Sequence, residues 1–565
     1  MKENMAMPVI TGRHAFLEVL HQEGVEYIFG NPGTTELPLM DALVDRPDIH
    51  YILALQEAAA VGMADGYAQA SGKIGVLNLH VSPGLGNALG VLYDSWRMKT
   101  PLLVTAGQQD QRMQLSEPVL WSELLPLMRM YAKWSWEPRT IKDLVTATRR
   151  AIKVAMTPPT GMVFLSLPMD VLYGEGEAEL WTTPSMPTRL RADRSALEQA
   201  ATVLLQARHP IIVVGDDVAQ SDALSEIVQV AEVLGARVFS DTFPGRTDFP
   251  SDHPLYQGIL VRAQPAVRAI LEQTDLLFAV GAEVFPFSLP SEVEPVPANL
   301  TIVHMHSDPW EVGKNYPAKV GIVGDLKASL PELAQLLRQK QTPSQRDEAS
   351  KRAEAAAQAK QTAFENLKSL AAEVANRLPI PAAVLMQTIA ESVPAETIIV
   401  DESITSGATL RDFLVRKSAD SFYGMRGGGL GWGLPAAIGV KLAKPDRPVL
   451  GVIGDGSTLY VNQALWTAAH YRLPVVWLIC NNAQYMILKR RLHAYGGAAA
   501  KAERYIGLDM MDPEVDFLAL ARAMGVHGVR ADTADAVSKA LREALSRNGP
   551  TLIDVPIERS IKPAV

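Results

Sequence analysis

The chain has 565 residues, 53 of them basic and 62 acidic, for a formal charge of −9, with 48% apolar and 20% charged residues. This is an ordinary globular composition, too long for one core at roughly 100–200 residues per domain, so three or four units are expected. It holds no basic excess for nucleic acid, and a small-molecule ligand is expected instead. A single cysteine, Cys480, excludes a disulfide framework or a thiolate metal site and fits a reducing, cytoplasmic setting.

In chain order, the opening "MKENMAMPVITGRHAFLEVL" has no long apolar core of a signal peptide. No stretch approaches ~20 uninterrupted apolar residues, so neither secretion nor membrane insertion is expected. "TGRHAFLEVLHQEG" reads as an amphipathic helix stopped by glycine, and "VEYIFGNPG" as a short strand running into a turn. "HYILALQEAAAVGMADGYAQASG" reads as a strand followed by a helix. That rhythm specifies a parallel sheet, closing near "PPTGMVFLSLPMDV" at about residue 182. A proline-rich acidic stretch, "YGEGEAELWTTPSMPT", reads as a linker. A second α/β unit, 190–337, has strands near "PIIVVGDD", "ARVFSD", "DLLFAVGA" and "LTIVHMHSD". It lacks the G-x-G-x-x-G fingerprint, so a Rossmann-like topology there does not imply NAD, and a structural role is expected. Residues 338–378 are rich in Ala, Lys, Glu and Gln and predict an exposed connecting helix after a flexible start. The last unit, 379–565, is again α/β.

That last unit carries the most informative stretch, "GDGSTLYVNQALWTAAHYRLPVVWLICNN", residues 454 to 482. A buried strand stops at the glycine-flanked aspartate, a helix follows, and the next buried strand ends in two asparagines. Both ends of the stretch therefore lie at the carboxyl ends of neighbouring parallel strands, the edge where open α/β sheets bind ligands. Asp455 offers an anionic oxygen and Asn482 a neutral carbonyl, while Gly454 and Gly456 admit a bulky anion close to the backbone. Oxygen donors of this kind suit Mg²⁺ or Ca²⁺ bridging a diphosphate. A lone GDG is an ordinary capped turn; with the asparagine pair at the next strand end a metal clamp is the expectation.

Several further stretches resemble one family. "FGNPGTTELPLMDAL", "YILALQEAAAVGMADGYAQASG", "NLHVSPGLGNALG", "PLLVTAGQQ", "DHPLYQGIL", "GGGLGWGLPAAIGVKLA", "GDGS", "ALWTAA" and "NNAQY" follow in the order of the thiamine diphosphate (ThDP)-dependent 2-oxo acid decarboxylases of the benzoylformate decarboxylase kind. The resemblance implies three doubly wound parallel-sheet domains: pyrimidine-binding, central and diphosphate-binding. It also implies ThDP held between the N-terminal domain of one subunit and the C-terminal domain of another. A homodimer is then the minimum active unit, and a homotetramer the common one.

On that resemblance Glu57, in "LALQEAA", is the carboxyl group that engages the cofactor's aminopyrimidine, and its setting between a buried strand and an Ala-rich helix supports a desolvated group. Leu430, in "GGGLGWG", is the bulky prop that bends the cofactor, with Gly429 giving close backbone approach to the pyrimidine. Ser457 and Tyr485 help hold the diphosphate. The backbone carbonyl of Gln484 is the third protein ligand to the metal beside Asp455 and Asn482, a position indifferent to the side chain. His80, in "NLHVSPG", matches a histidine that faces the substrate and can carry protons near neutrality. Thr34 stands where the family has a serine near the substrate carboxylate.

Two departures bear on the reaction. In "GAEVFPFSLPSEVEP" the position of a second family histidine falls on Ser288, and no histidine lies between 281 and 300. Serine is a far poorer proton donor near neutral pH. Met486, Ile487 and Leu488 stand where smaller residues would leave room for a phenyl ring, so a pocket for a smaller or aliphatic 2-oxo acid is expected. Lys489, Arg490, Arg491 and His493 are expected to form a solvated basic helix face. The implied activity is ThDP- and Mg²⁺-dependent non-oxidative decarboxylation of a 2-oxo acid to an aldehyde and CO₂. The alternative is a carboligase or lyase of the acetolactate synthase or 2-hydroxyacyl lyase kind.

Overall fold

A computed structural model describes residues 9–181 and 187–561, so the middle of the expected linker, 182–186, lies outside the described residues. The described chain forms two compact units. The first joins residues up to 181 with 399–405 and 425–561, and the second holds 187–398 and 406–424.

In the first unit a short antiparallel pair, β1 (Val9–Thr11) with β8 (Glu175–Glu177), flanks a six-stranded parallel sheet. That sheet comprises β2 (Tyr27–Gly30), β3 (His50–Leu53), β4 (Gly75–Leu79), β5 (Leu102–Gln108), β6 (Ser135–Trp136) and β7 (Val163–Pro168), in the order β3-β2-β4-β5-β7-β6. In the second unit β9 (Pro210–Val214), β10 (Arg237–Ser240), β11 (Tyr256–Ile259), β12 (Leu276–Val280), β13 (Thr301–His306) and β14 (Val320–Val323) form a parallel sheet ordered β11-β10-β9-β12-β13-β14. The second unit also holds the short strand β16 (Phe422–Gly424), whose Gly424 N–H donates to the Gly245 carbonyl. A third sheet returns to the first unit with β15 (Ile398–Glu402), β17 (Val449–Gly454), β18 (Val475–Asn481), β19 (His527–Arg530) and β20 (Thr551–Pro556), running β15-β17-β18-β20-β19. The central strands are buried along their whole length, as a parallel sheet covered by helices on both faces requires.

The α/β class and the three sheets agree with the sequence, but the first and third sheets share one compact unit. The cause is a crossing of two helices, Glu57–Ser71 and Gly433–Ala443, both apolar on nearly every face and therefore buried all round. A Cβ on Gly439 would lie 1.9 Å from the Met63 carbonyl oxygen, and one on Gly66 2.3 Å from that of Ala436. The two backbones touch directly, and only glycine at these positions permits it. Trp432, fully buried, closes one end by donating Nε1–H to Asp65 Oδ1 at 2.9 Å.

In the second unit the expected flexible start of the 338–378 segment is instead ordered. One helix runs Leu326–Lys340 and the next Pro343–Glu373. The Thr342 hydroxyl accepts from Gln345 N and the Gln345 side chain accepts from Thr342 N, a reciprocal cap that fixes the second helix at its first turn. Only Ala349, Ala356 and Ala371 of that helix are buried, so its exposed character is as the composition implies.

Candidate active site

Four neighbouring strands of the N-terminal sheet end together and deliver Asn31, Glu57, His80 and Gln108 to one edge. Glu57 opens the helix after β3; Gln56 caps that helix by accepting from Ala59 N at 3.1 Å. The Glu57 carboxylate is buried, at 7% exposure, and accepts from Asn31 Nδ2 at 3.2 Å and Asn87 Nδ2 at 3.0 Å. Neutral amides rather than cations hold it. Gly84 separates it from His80: a Cβ there would meet Glu57 Oε1 at 3.3 Å and His80 Cβ at 3.4 Å.

His80 caps the helix after β4, and the next residue, Val81, turns the chain at φ +38°, a strained conformation for a β-branched side chain. Its Nδ1 lies 2.7 Å from Glu36 Oε2 and 3.1 Å from the Thr35 hydroxyl, which itself donates to Glu36 Oε1 at 2.7 Å. Glu36 is nearly fully buried and also accepts from Gly33 N and Gly107 N. With the carboxylate as acceptor Nδ1 carries a proton, leaving Nε2 as the nitrogen that gains and loses one. The Glu36 hydrogen bond raises the His80 pKa above its ordinary value of 6.5, against the opposing effect of burial.

A raised folded-state pKa means that this pair stabilises the fold fully below pH 6.5 and ceases to do so as pH rises through the folded value. Replacing Glu36 by glutamine is therefore expected to lower the pH at which the His80 ring protons titrate by NMR. The variant should also lose more stability at pH 6 than at pH 8 in paired denaturant melts; an equal loss at both would show that only the uncharged hydrogen bonds of Glu36 matter.

At the C-terminal edge β17 and β18 run parallel with Gly454 opposite Cys480, which sets Asp455 beside the asparagine pair. Asp455 Oδ2 accepts from the backbone N–H of Asn482 at 2.8 Å and of Ala483 at 2.6 Å, and Oδ1 from Gly456 N at 2.7 Å. Burial pushes its pKa up to about 6. The two asparagines do different work. Asn481 donates to buried Asp554 at 3.0 Å, whereas Asn482 turns Oδ1 towards Gln484 N at 3.1 Å. Gly454 has no close neighbour, its Cβ position lying 3.6 Å from the nearest atoms, while Gly456 is required by the Tyr485 ring, 2.9 Å from where a Cβ would sit.

These donors fit a hard divalent cation: one buried carboxylate, one amide carbonyl and a backbone carbonyl on adjacent strand ends. Among the described residues no group of three His, Cys, Asp or Glu side chains could hold a metal.

Leu430 sits half-buried in a turn between Gly429 and Gly431. Thr34 is exposed at the start of a short turn, and its buried neighbour Thr35 is the threonine bonded to the Glu36–His80 pair. Ile487 is half-buried and Leu488 is 45% exposed. Ser288 lies on an exposed loop of the second unit. The expected solvated basic face after the asparagine pair is corrected at Lys489, which is 7% exposed and donates to Gln484 Oε1 at 2.6 Å and to Asp509. His493 meets the Tyr505 hydroxyl at 2.8 Å, and Arg490 donates to the Ile561 carbonyl at 3.1 Å, so only Arg491 of the four is exposed. The lysine is drawn in because Gln484 and Asp509, distant in sequence, form a backbone bridge beneath it.

Sequence reasoning passed over Asn31, Asn87, Glu36, Glu402 and Asp94. Asn87 follows His80 by two helical turns, a spacing that put both on one helix face and was the available signal.

Family descriptions and relatives agree with this geometry. The N-terminal thiamine pyrophosphate (TPP) binding domain of thiamine pyrophosphate enzymes matches residues 10–123, the central domain 197–333 and the C-terminal TPP binding domain 407–555. A benzoylformate decarboxylase of Pseudomonas aeruginosa is 33% identical, covering 97% of this chain and 99% of its own. A probable acetolactate synthase large subunit of Methanocaldococcus jannaschii is 29% identical over 97% of this chain and 92% of its own. Among solved structures, a benzoylformate decarboxylase from Polynucleobacter necessarius superposes with a TM-score of 0.86 at 31% identity, covering 98% of this chain and 99% of that one. All three domains, matched in order along a full-length relative, show that the chain belongs to the thiamine diphosphate-dependent enzyme family.

Proposed function

We propose that this chain is a ThDP- and Mg²⁺-dependent carboxy-lyase that decarboxylates a 2-oxo acid to an aldehyde and CO₂. The observation that carries the reading is the paired edge of the N-terminal sheet, where buried Glu57 is held by two amides and His80 is ion-paired to buried Glu36 one strand away. Bound ThDP supplies a nucleophilic carbon for the 2-oxo group and an electron sink for the departing CO₂. Glu57 would engage the pyrimidine through its carboxyl group, and Gly429 and Leu430 would hold that ring from the C-terminal domain. Asp455, Asn482 and the Gln484 carbonyl hold the metal, with Gly454, Gly456, Ser457 and Tyr485 around the diphosphate. His80 exchanges a proton at Nε2 with the bound substrate, and Thr34 takes the place of the family's serine near the substrate carboxylate. Ile487 and Leu488 narrow the acyl pocket, and Ser288 stands at the position of the family's second histidine.

The same assignment gives domains at 1–182, 190–337 and 379–565 with the 338–378 segment between them, and a homo-oligomer in which Glu57 and Asp455 of one site come from different subunits. A second reading, carboligation, is favoured by the absence of a histidine between 281 and 300 and by the exposed Ser288 in that segment. Without that proton donor a carbonyl acceptor can compete for the intermediate.

Assays with pyruvate, phenylglyoxylate and branched 2-oxo acids, each with and without an added aldehyde, separate the two. CO₂ with free aldehyde supports decarboxylation, and a 2-hydroxy ketone supports ligation. Tight ThDP binding with no CO₂ from any acid would sink both.

A further inference from the structure

The glycine-rich loop 427–433 contains more glycine than a prop for a ring needs. Gly428 and Gly431 have φ of +92° and +103°, which accounts for two of the glycines by backbone conformation. The other three are set by carboxylates of this chain. A Cβ on Gly427 would lie 2.1 Å from Asp94 Oδ1, one on Gly429 2.8 Å from Asp94 Oδ2, and one on Gly433 2.7 Å from Glu402 Cβ. Asp94 stands on the helix Val81–Arg97, whose N-cap is His80, and Glu402 ends β15.

Both carboxylates are buried, and each binds backbone N–H groups of the loop. Asp94 Oδ1 accepts from Gly429 N at 3.0 Å, and Glu402 accepts from Gly431 N at 2.7 Å and from Gly433 N. The Ser457 hydroxyl also bonds to Glu402. Asp65, a third buried carboxylate, takes the Trp432 indole N–H two residues beyond Leu430. Burying carboxylates this close together is costly, because the charge of each disfavours the charge of the others. A loop that needed only to be closed could have been packed with apolar side chains.

We propose that Asp94 and Glu402 are positioning residues that clamp the peptide groups on either side of Leu430 and fix how far that side chain projects towards the cofactor. The inference rests on the reading of Leu430 as the cofactor's prop. Gripping the chain at the N–H groups of residues 429 and 431 restricts the backbone on both sides of residue 430, so the two carboxylates limit how its side chain projects. Substituting glutamine at 402 keeps one accepting oxygen but turns an NH₂ group towards one of the two loop N–H donors, loosening one jaw without emptying the space.

The test is a double-mutant cycle of Glu402→Gln and Leu430→Ala in the full-length holoenzyme, with Asp94→Asn as a third variant. The rate at which the C2 proton of bound ThDP exchanges with deuterated water is read by acid quench and NMR, alongside ThDP affinity and melting temperature. Glu402→Gln is expected to slow exchange about tenfold while changing ThDP affinity less than about threefold. In the Leu430→Ala background the same change is expected to have little further effect, because the clamp acts through that side chain. Asp94→Asn, which keeps Oδ1 as acceptor for Gly429, should slow exchange less than Glu402→Gln. Additive effects of Glu402→Gln and Leu430→Ala, or an exchange rate that falls only in step with affinity, would overturn the clamp. A wild-type protein that binds no ThDP, or binds it without C2 exchange, overturns the cofactor reading itself, so the two failures are distinguishable.

Discussion

Changing Glu57 to glutamine is expected to lower the rate of CO₂ release from the best 2-oxo acid by about 10²–10⁴-fold, the range that a positioned proton-transfer group contributes. Glutamine preserves the length and an accepting oxygen, so one of the two amide donors, Asn31 or Asn87, keeps its partner. What it removes is the carboxyl group, the part of the side chain that can take up and release a proton. The side chain lies at the first turn of a helix already capped by Gln56, so the fold does not depend on its charge, and the melting temperature should move little. Retained ThDP binding with lost turnover is the expected pattern, measured by cofactor titration beside CO₂ release. Activity within tenfold of the wild type would remove Glu57 from the mechanism. A parallel collapse of melting temperature would show that the carboxylate is structural, and Asn87→Ala would then reproduce it.

How far the sequence carried depends on whether a feature is local. The strand-to-helix turns that deliver Glu57, His80 and Asp455 could be read because each is set by hydrophobic period and a neighbouring glycine or cap. The three-sheet α/β fold followed from the same signals. What escaped was long-range. The Ala-rich helix 57–71 was legible as a helix, yet its partner at 433–443 was not, because bare-backbone contact between Gly66 and Ala436 leaves no periodicity in either segment. Lys489 looked like one more basic residue on a solvated face, and only the bridge between Gln484 and Asp509 gives it a buried place. Asp94 and Glu402 carry no motif, since a carboxylate's worth as a backbone acceptor depends on which loop folds over it. Thr34 stands out by motif position, whereas the burial that sends Thr35 to His80 is a tertiary fact that no motif carries.

Asp455 gives the other large effect, and the choice of substitution decides what is learned. Alanine would strip the acceptor from three backbone N–H groups, those of Gly456, Asn482 and Ala483, each left buried at a cost of about 1–3 kcal/mol. Such a protein could lose the turn as well as the metal. Asparagine keeps an accepting oxygen for part of that set and removes the charge that a divalent cation would meet. For Asp455→Asn the Mg²⁺ concentration needed to support ThDP binding is expected to rise at least about 100-fold, beyond what loss of an outer-sphere partner costs. Fluorescence titration with ThDP at fixed Mg²⁺, and again after chelation, measures it. The wild type should lose its cofactor on chelation and the variant should resemble the chelated wild type. If ThDP affinity is indifferent to both Mg²⁺ and Asp455→Asn, the strand-end oxygens are not a metal site. Asp455 would then be only the acceptor that shapes the turn after β17, and the diphosphate would need another anchor.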